Sequence, residues 1–224
     1  MNECIFLLHI LLIMTFTLMS LRLGKAALKT WVCLQALFAN LFVLKQTTFF
    51  AFTVTCSDVF AIGGILGLNL LQEHYNKKAA QTTVKNCFYF MLFFAALSKI
   101  HLLYHPSAED MTHASYHTIL SPAPRLLFAS LTVFFIVQKI DIRLFSWMKH
   151  RFHFFSFSSR TLISLLFSQL LDTVLFSILG LYGLVYSITD VIFVSFIAKA
   201  VIIFSLTPMT LLSKKWIQPK DLLL

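Results

Sequence analysis

Seven long apolar runs, separated alternately by stretches rich in Lys and Arg and stretches nearly free of them, constrain this chain more than any other feature. The runs extend from Cys4 to Leu21, Trp31 to Leu44, Thr55 to Glu73, Asn86 to Tyr104, Arg125 to Gln138, Thr161 to Tyr182 and Val191 to Leu212. They are continuous rather than alternating, which argues for bilayer-spanning helices and against an outer-membrane barrel. Charged residues make up only 12% of the 224, about half the ~25% usual in a soluble domain. The pattern predicts an all-α integral membrane protein, one domain of about seven transmembrane helices.

Charge placement gives the topology. Glu3 precedes the first run and Arg22, Lys25 and Lys29 follow it. This is the reverse of a cleaved signal peptide, so a retained helix with its N-terminus outside is expected. With seven helices, fourteen of the eighteen Lys and Arg fall on one side, at positions 22–29, 77–85, 139–160 and 214–220. Only Lys45 and Arg125 face the other side, and Lys99 and Lys199 lie within helices. Basic loops stay cytoplasmic, which places the N-terminus out and the C-terminus, with Lys214, in. Trp31, Trp147 and Trp216 all fall at the inner boundary, as interfacial anchors. The net charge of +9 is thus accounted for by topology, and no nucleic-acid partner is expected. Cys4, Cys33, Cys56 and Cys87 form no C-x-x-C pair and read as small packing residues.

The third run, TCSDVFAIGGILGLNLLQE, carries polar groups in an apolar setting. On a helix, Thr55, Asp58, Ile62, Leu66, Asn69 and Glu73 recur at three- and four-residue steps and share one face. Gly63 and Gly67 lie on another side, four apart, where a second helix can approach closely. Two readings stand for the polar face. It lines a polar path through the membrane, or Asp58 and Glu73 sit solvated at the two interfaces with only Asn69 inside.

Asp172 and Lys199 fall near the middle of the last two runs. An unpaired charge at that depth costs at least about 2.5–3.5 kcal/mol, so they should neutralise each other or a ligand. Gln169 and Thr173 share the face of Asp172, and Ser195 that of Lys199. The pair is either a structural tie between helices or part of a substrate pathway. Pro208 lacks an N–H and can kink the last helix. In the one long outer connection, His101, His105, Glu109, His113 and His117 recur every four residues. Pro106 breaks that helical row, leaving only His113 and His117 at ligand spacing, so no metal site is expected. There is no G-x-x-x-x-G-K-[ST], H-E-x-x-H or G-x-S-x-G, and no enzyme is expected. No cofactor is implied.

Several stretches, in order, resemble the queuosine precursor transporter family, also called the vitamin uptake transporter family. They are NLFVLKQ at 40–46, VT-x-SD at 54–58, LNLLQEHYNKKAA at 68–80, PRLLFAS at 124–130, DIRLF at 141–145, QLLDTVLF at 169–176 and AKAVIIFSLTP at 198–208. In that family an acidic residue often stands at the position of Asn69, and a glycine at that of Asn76. The resemblance implies a multi-pass bacterial inner-membrane protein that imports a 7-deazaguanine base such as preQ0, preQ1 or queuine for tRNA modification. It also implies a six-helix core over 31–212, with residues 1–30 an additional N-terminal helix and loop and 213–224 a cytoplasmic tail. Carried onto this chain, Asp172 and Glu73 accept from the base, Asn69 and Gln169 are amide partners, Lys199 balances charge and Asp58 joins the site. Two alternatives are a substrate-binding subunit of an energy-coupling-factor-like complex and an integral membrane enzyme. Such a subunit docks through small residues four apart on its first core helix, whereas Ala36 and Ala39 here are three apart. Besides the small molecule and the lipid bilayer, the partners left open are a homo-oligomer or a separate energising subunit.

Overall fold

The computed structural model describes residues 1–151 and 157–216; the far end of the expected tail at 213–224, with Lys220, lies outside them. Each apolar run falls mainly in a helix. These are α1 (Asn2–Arg22), α2 (Lys25–Phe42), α3 (Asp58–His74), α4 (Lys77–His101), α6 (Ala123–Arg151), α7 (Phe157–Phe176) and α8 (Ile188–Trp216). A short α5 (His113–Leu120) occupies the long connection. By length and composition, three helical stretches among the described residues can cross a membrane: Asn2–Arg22, His113–Val137 and Ile163–Leu181. Large apolar side chains stand outward on α1 (Leu7, Leu8, Leu11) and α4 (Leu92, Phe93). A continuous apolar exterior of this kind fits hydrocarbon better than water.

The all-α expectation needs one correction. Strands β1 (Gln46–Phe49) and β2 (Phe52–Thr55) pair antiparallel, Gln46 opposite Thr55 and Phe49 opposite Phe52. Thr55 therefore ends a strand, and the third helix starts only at Asp58. Thr, Phe and Val suit a pleated, half-buried surface, but the two-residue turn is Phe50–Ala51, with φ +42° and +73°. Such turns normally carry Asn-Gly. Each non-glycine residue held there costs on the order of 1–3 kcal/mol and persists only where its surroundings over-determine it. They do here. The Phe50 N–H donates to Glu3 Oε1 (3.3 Å) and Asn2 Nδ2 to the Thr48 carbonyl (3.0 Å). On the other flank the Thr53 N–H donates to Asp190 Oδ2 (3.0 Å), and Gln46 Oε1 accepts from the Tyr186 N–H (2.8 Å).

Helix α3 is the packing centre, in contact with α1, α2, α4 and α8. Its buried Ile62, Leu66, Leu70 and Leu71 join Leu21, Leu28 and Val32 in the largest apolar cluster. The two glycines explain the closeness. A methyl at Gly63 would meet Ile13 Cγ2 at 2.5 Å, and one at Gly67 would meet Val32 Cγ2 at 2.4 Å. Trp31 serves this packing too: its indole N–H donates to Thr17 Oγ1 (2.8 Å) and its ring stacks on Phe16. Nearby, the free thiols of Cys33 on α2 and Cys87 on α4 lie 3.6 Å apart.

Local signals set the ends of the remaining helices. Asn76, at φ +144°, accepts from the Ala79 N–H (2.8 Å) and so caps α4. Glycine would adopt that φ freely; asparagine adopts it and adds the cap. Helix α7 widens into a π-helical turn over Ser177–Leu181. Arg125 closes it, donating from Nε to the Leu179 carbonyl (3.2 Å) and from Nη2 to that of Tyr182 (2.7 Å). Gly183 then turns the chain at φ +77°. Ser187 Oγ accepts from the Asp190 N–H (3.3 Å) as α8 begins, and α8 runs on through Pro208.

Candidate functional site

A cavity of about 260 Å³ opens where α2, α3, α4, α6, α7 and α8 converge. No residue of α1 lines it. Each wall is placed by an element already described. α2 brings Asn40, whose side chain is steadied by donating to the Ala36 carbonyl (2.9 Å). The chain leaving β2 brings Thr55 and Ser57, whose hydroxyls pair at 2.8 Å. α3 brings Asp58, α6 brings Ser130 and Phe134, and the π turn brings Ser177. π-helical turns recur at functional sites because they re-aim side chains within a helix. Phe88 and Phe134 form an edge-to-face pair, ring centroids 5.0 Å apart, beside Phe176.

The charged groups are the centre of this site. Lys199 Nζ donates to Asp172 Oδ2 and to Thr173 Oγ1, each at 3.0 Å. The lysine is buried, while the Asp172 side chain keeps 37% of its surface open. Asp58, 7% exposed, accepts from Ser195 Oγ at 2.7 Å. Ser195 stands one turn from Lys199 on α8, so a single helix face connects both acids. The three Lys199 protons can serve Asp172, Thr173 and one more acceptor. The pair thus shows a carboxylate and a donor side by side at the edge of an open space. That combination can read a planar molecule carrying N–H groups next to a carbonyl.

Of the residues singled out from the sequence, the structure brings Asp58, Asp172 and Lys199 together in this cavity. Asn69 is half-buried and Glu73 exposed, further along α3, and neither lines the cavity. Gln169 is also outside it; its carbonyl accepts from Thr173 Oγ1 (2.8 Å). Polar lining residues without a sequence prediction are Asn40, Ser57, Ser130 and Ser177. Asn40, Ser57 and Ser130 fall in the stretches that carry the family resemblance, and Asn40 is also an amide within an apolar run; Ser177 had no signal. Lys99 is exposed on α4. In the connection between α4 and α6 the rings of His113 and His117 are 6.4 Å apart, and no group of three potential metal ligands occurs among the described residues.

A protein-family model described as "Putative vitamin uptake transporter" matches residues 47–213, well over half of the chain. A relative from Bacillus subtilis (strain 168), described as "Probable queuosine precursor transporter", is 28% identical over 166 residues. That match covers 72% of this chain and 71% of the relative. No solved structure matches.

Proposed function

We propose that this chain, which belongs to the vitamin uptake transporter family, imports a queuosine precursor through the six-helix cavity. The observation that carries the reading is the Asp172–Lys199 pair, held at 3.0 Å on a wall of that cavity. A carboxylate that is paired with a buried lysine and still open to the cavity can accept from a ligand without giving up its ion pair. Here the carboxylate remains open. A 7-deazaguanine presents N–H donors beside a carbonyl; Asp172 accepts from the former and Lys199 donates to the latter. The cavity's 260 Å³ lies below the roughly 300–1,000 Å³ typical for drug-sized ligands, which suits a free base. Phe88, Phe134 and Phe176 supply rings for it to rest on. Asn69, Glu73 and Gln169 remain second-line candidates, for a stage of transport in which α3 and α7 present other faces.

In this reading all seven long helices span the bacterial inner membrane, with Lys25 inside and the α5 connection outside. The hairpin, tied to both α1 and α8, then covers the outer end of the cavity. Residues 1–224 act as one membrane domain, in which 31–212 are the transporting core. Ala36 packs on Met91, Ala95 and Leu127, and Ala39 lines the cavity. Both small residues thus have contacts within the chain, which favours transport by this chain alone. Membership of a transporter family also weighs against an enzyme.

The test is restoration of queuosine in the tRNA of bacteria that can neither make nor import the precursor. Cells expressing this chain, supplied with precursor and holding the insertion enzymes, should regain it. Cells with Asp172→Asn at equal protein level should not. Failure with the nitrile, amine and queuine forms alike, with the protein present in the membrane, would overturn the cargo.

A further inference from the structure

The charges lining the cavity do not balance. Among the described residues it holds two carboxylates, Asp58 and Asp172, and one cation, Lys199. Lys199 is committed to Asp172 and Thr173. Asp58 accepts a hydrogen bond from the neutral hydroxyl of Ser195, and Lys199 acts on it only as a more distant charge, its ion pair being with Asp172. Asp58 also stands in the first turn of α3, where a helix N-terminus offers about half an elementary charge at most. That offsets part of the cost of a carboxylate only 7% exposed. It does not replace a counter-ion, because buried charges are ordinarily paired.

We infer that Asp58 is the counter-ion for a positively charged substituent of the substrate, so that the cavity selects a planar base bearing a protonated amine over neutral bases of the same size. This rests on the proposed cargo and deepens it. The two acids then have separate tasks. Asp172, already paired, reads the N–H edge with Lys199; Asp58, reached across the cavity from α3, takes the ammonium. A neutral substrate would leave the buried carboxylate as it stands in the empty cavity. A cationic one completes a second ion pair inside a low-dielectric space, where such pairs count most.

The experiment measures equilibrium binding to the purified full-length protein in lipid nanodiscs at one fixed pH. Three 7-deazaguanines are compared: aminomethyl, hydroxymethyl and nitrile. The first two have nearly the same shape and differ in charge. The expected result is binding of the aminomethyl form about tenfold or more tighter than either neutral form. Asp58→Asn should bring the three within about threefold of one another, by weakening the aminomethyl form alone. Asp58→Glu, which keeps the charge, should retain the preference. The wild-type comparison needs no variant to fold, and equal binding of the aminomethyl and hydroxymethyl forms would overturn the inference while leaving the cargo intact. A preference that survives Asp58→Asn would overturn it as well. If none of the three bases binds, the cargo itself is wrong, and this inference falls with it.

Discussion

Alanine at Gly67 and at Gly64 should have opposite effects, although the two positions are three residues apart on one helix. At Gly67 a methyl carbon would sit 2.4 Å from Val32 Cγ2. Ordinary carbon–carbon contact is about 3.5–4.0 Å, so the overlap exceeds 1 Å. Val32 cannot swing away, since it is buried and a β-branched side chain in a helix has essentially one rotamer. Either α2 and α3 separate or the side chain leaves its rotamer, and overpacking of this kind costs about 1–3 kcal/mol. At Gly64 nothing lies within 4 Å, and alanine gains roughly 0.5–1 kcal/mol of helix propensity. The propensity gain is common to both positions, so the difference between the variants isolates packing, at about 1–3 kcal/mol. Thermal unfolding of the purified proteins in one detergent would read this as Tm rising for Gly64→Ala and falling several degrees below it for Gly67→Ala. Adding Val32→Ala should recover most of the loss at Gly67. Because α3 also carries Asp58, transport should weaken with Gly67→Ala and not with Gly64→Ala. Equal Tm shifts for the two variants would refute the α2–α3 contact.

Four further outcomes follow from named contacts. Asp172→Asn and Lys199→Met should each abolish uptake while the protein still inserts; each removes half of the pair the base is read by, and Asp172→Asn also leaves the buried Lys199 short of its charged acceptor, at about 1–3 kcal/mol. Normal transport by either variant would make the pair a scaffold. An impermeant thiol reagent, applied to intact cells on a background without native cysteines, should label Asp110→Cys and not Lys25→Cys; the converse would invert the topology. Gln35 is fully buried and its side-chain N and O have no hydrogen-bond partner among the described residues, so Gln35→Met should raise stability by about 1–3 kcal/mol, measured by the same thermal unfolding. Mild oxidation should join Cys33 to Cys87, seen by mass spectrometry as a linked peptide pair, since the thiols lie 3.6 Å apart. No linkage would mean that α2 and α4 pack in a different register.

The membrane class, the positions of the seven long helices and the two most telling charges were legible in the sequence, because each depends on a local quantity. Hydropathy over one helix length identifies an apolar helix, and a lone Asp or Lys within it is conspicuous wherever its neighbours end up. The glycines of α3 were legible for the same reason, since a four-residue spacing marks one face of one helix. What one helix faces is a different matter. Periodicity put Asp58, Asn69 and Glu73 on a single stripe, but a stripe about 22 Å long passes more than one neighbour. Only the packing of α8 against α3, with Ser195 donating to Asp58, leaves Asp58 on the cavity and Asn69 and Glu73 away from it. The hairpin was invisible because its turn breaks the usual rule: Phe50 and Ala51 hold positive φ through contacts to Glu3 and to strands anchored on α8, none of them local. The pairing of Lys199 with both Asp172 and Thr173, and that of Asp58 with Ser195, depend on side chains that the chain brings together from positions 58 to 199. Distances of that kind come from tertiary structure alone, since a linear sequence fixes which groups must find partners but not which partners they find.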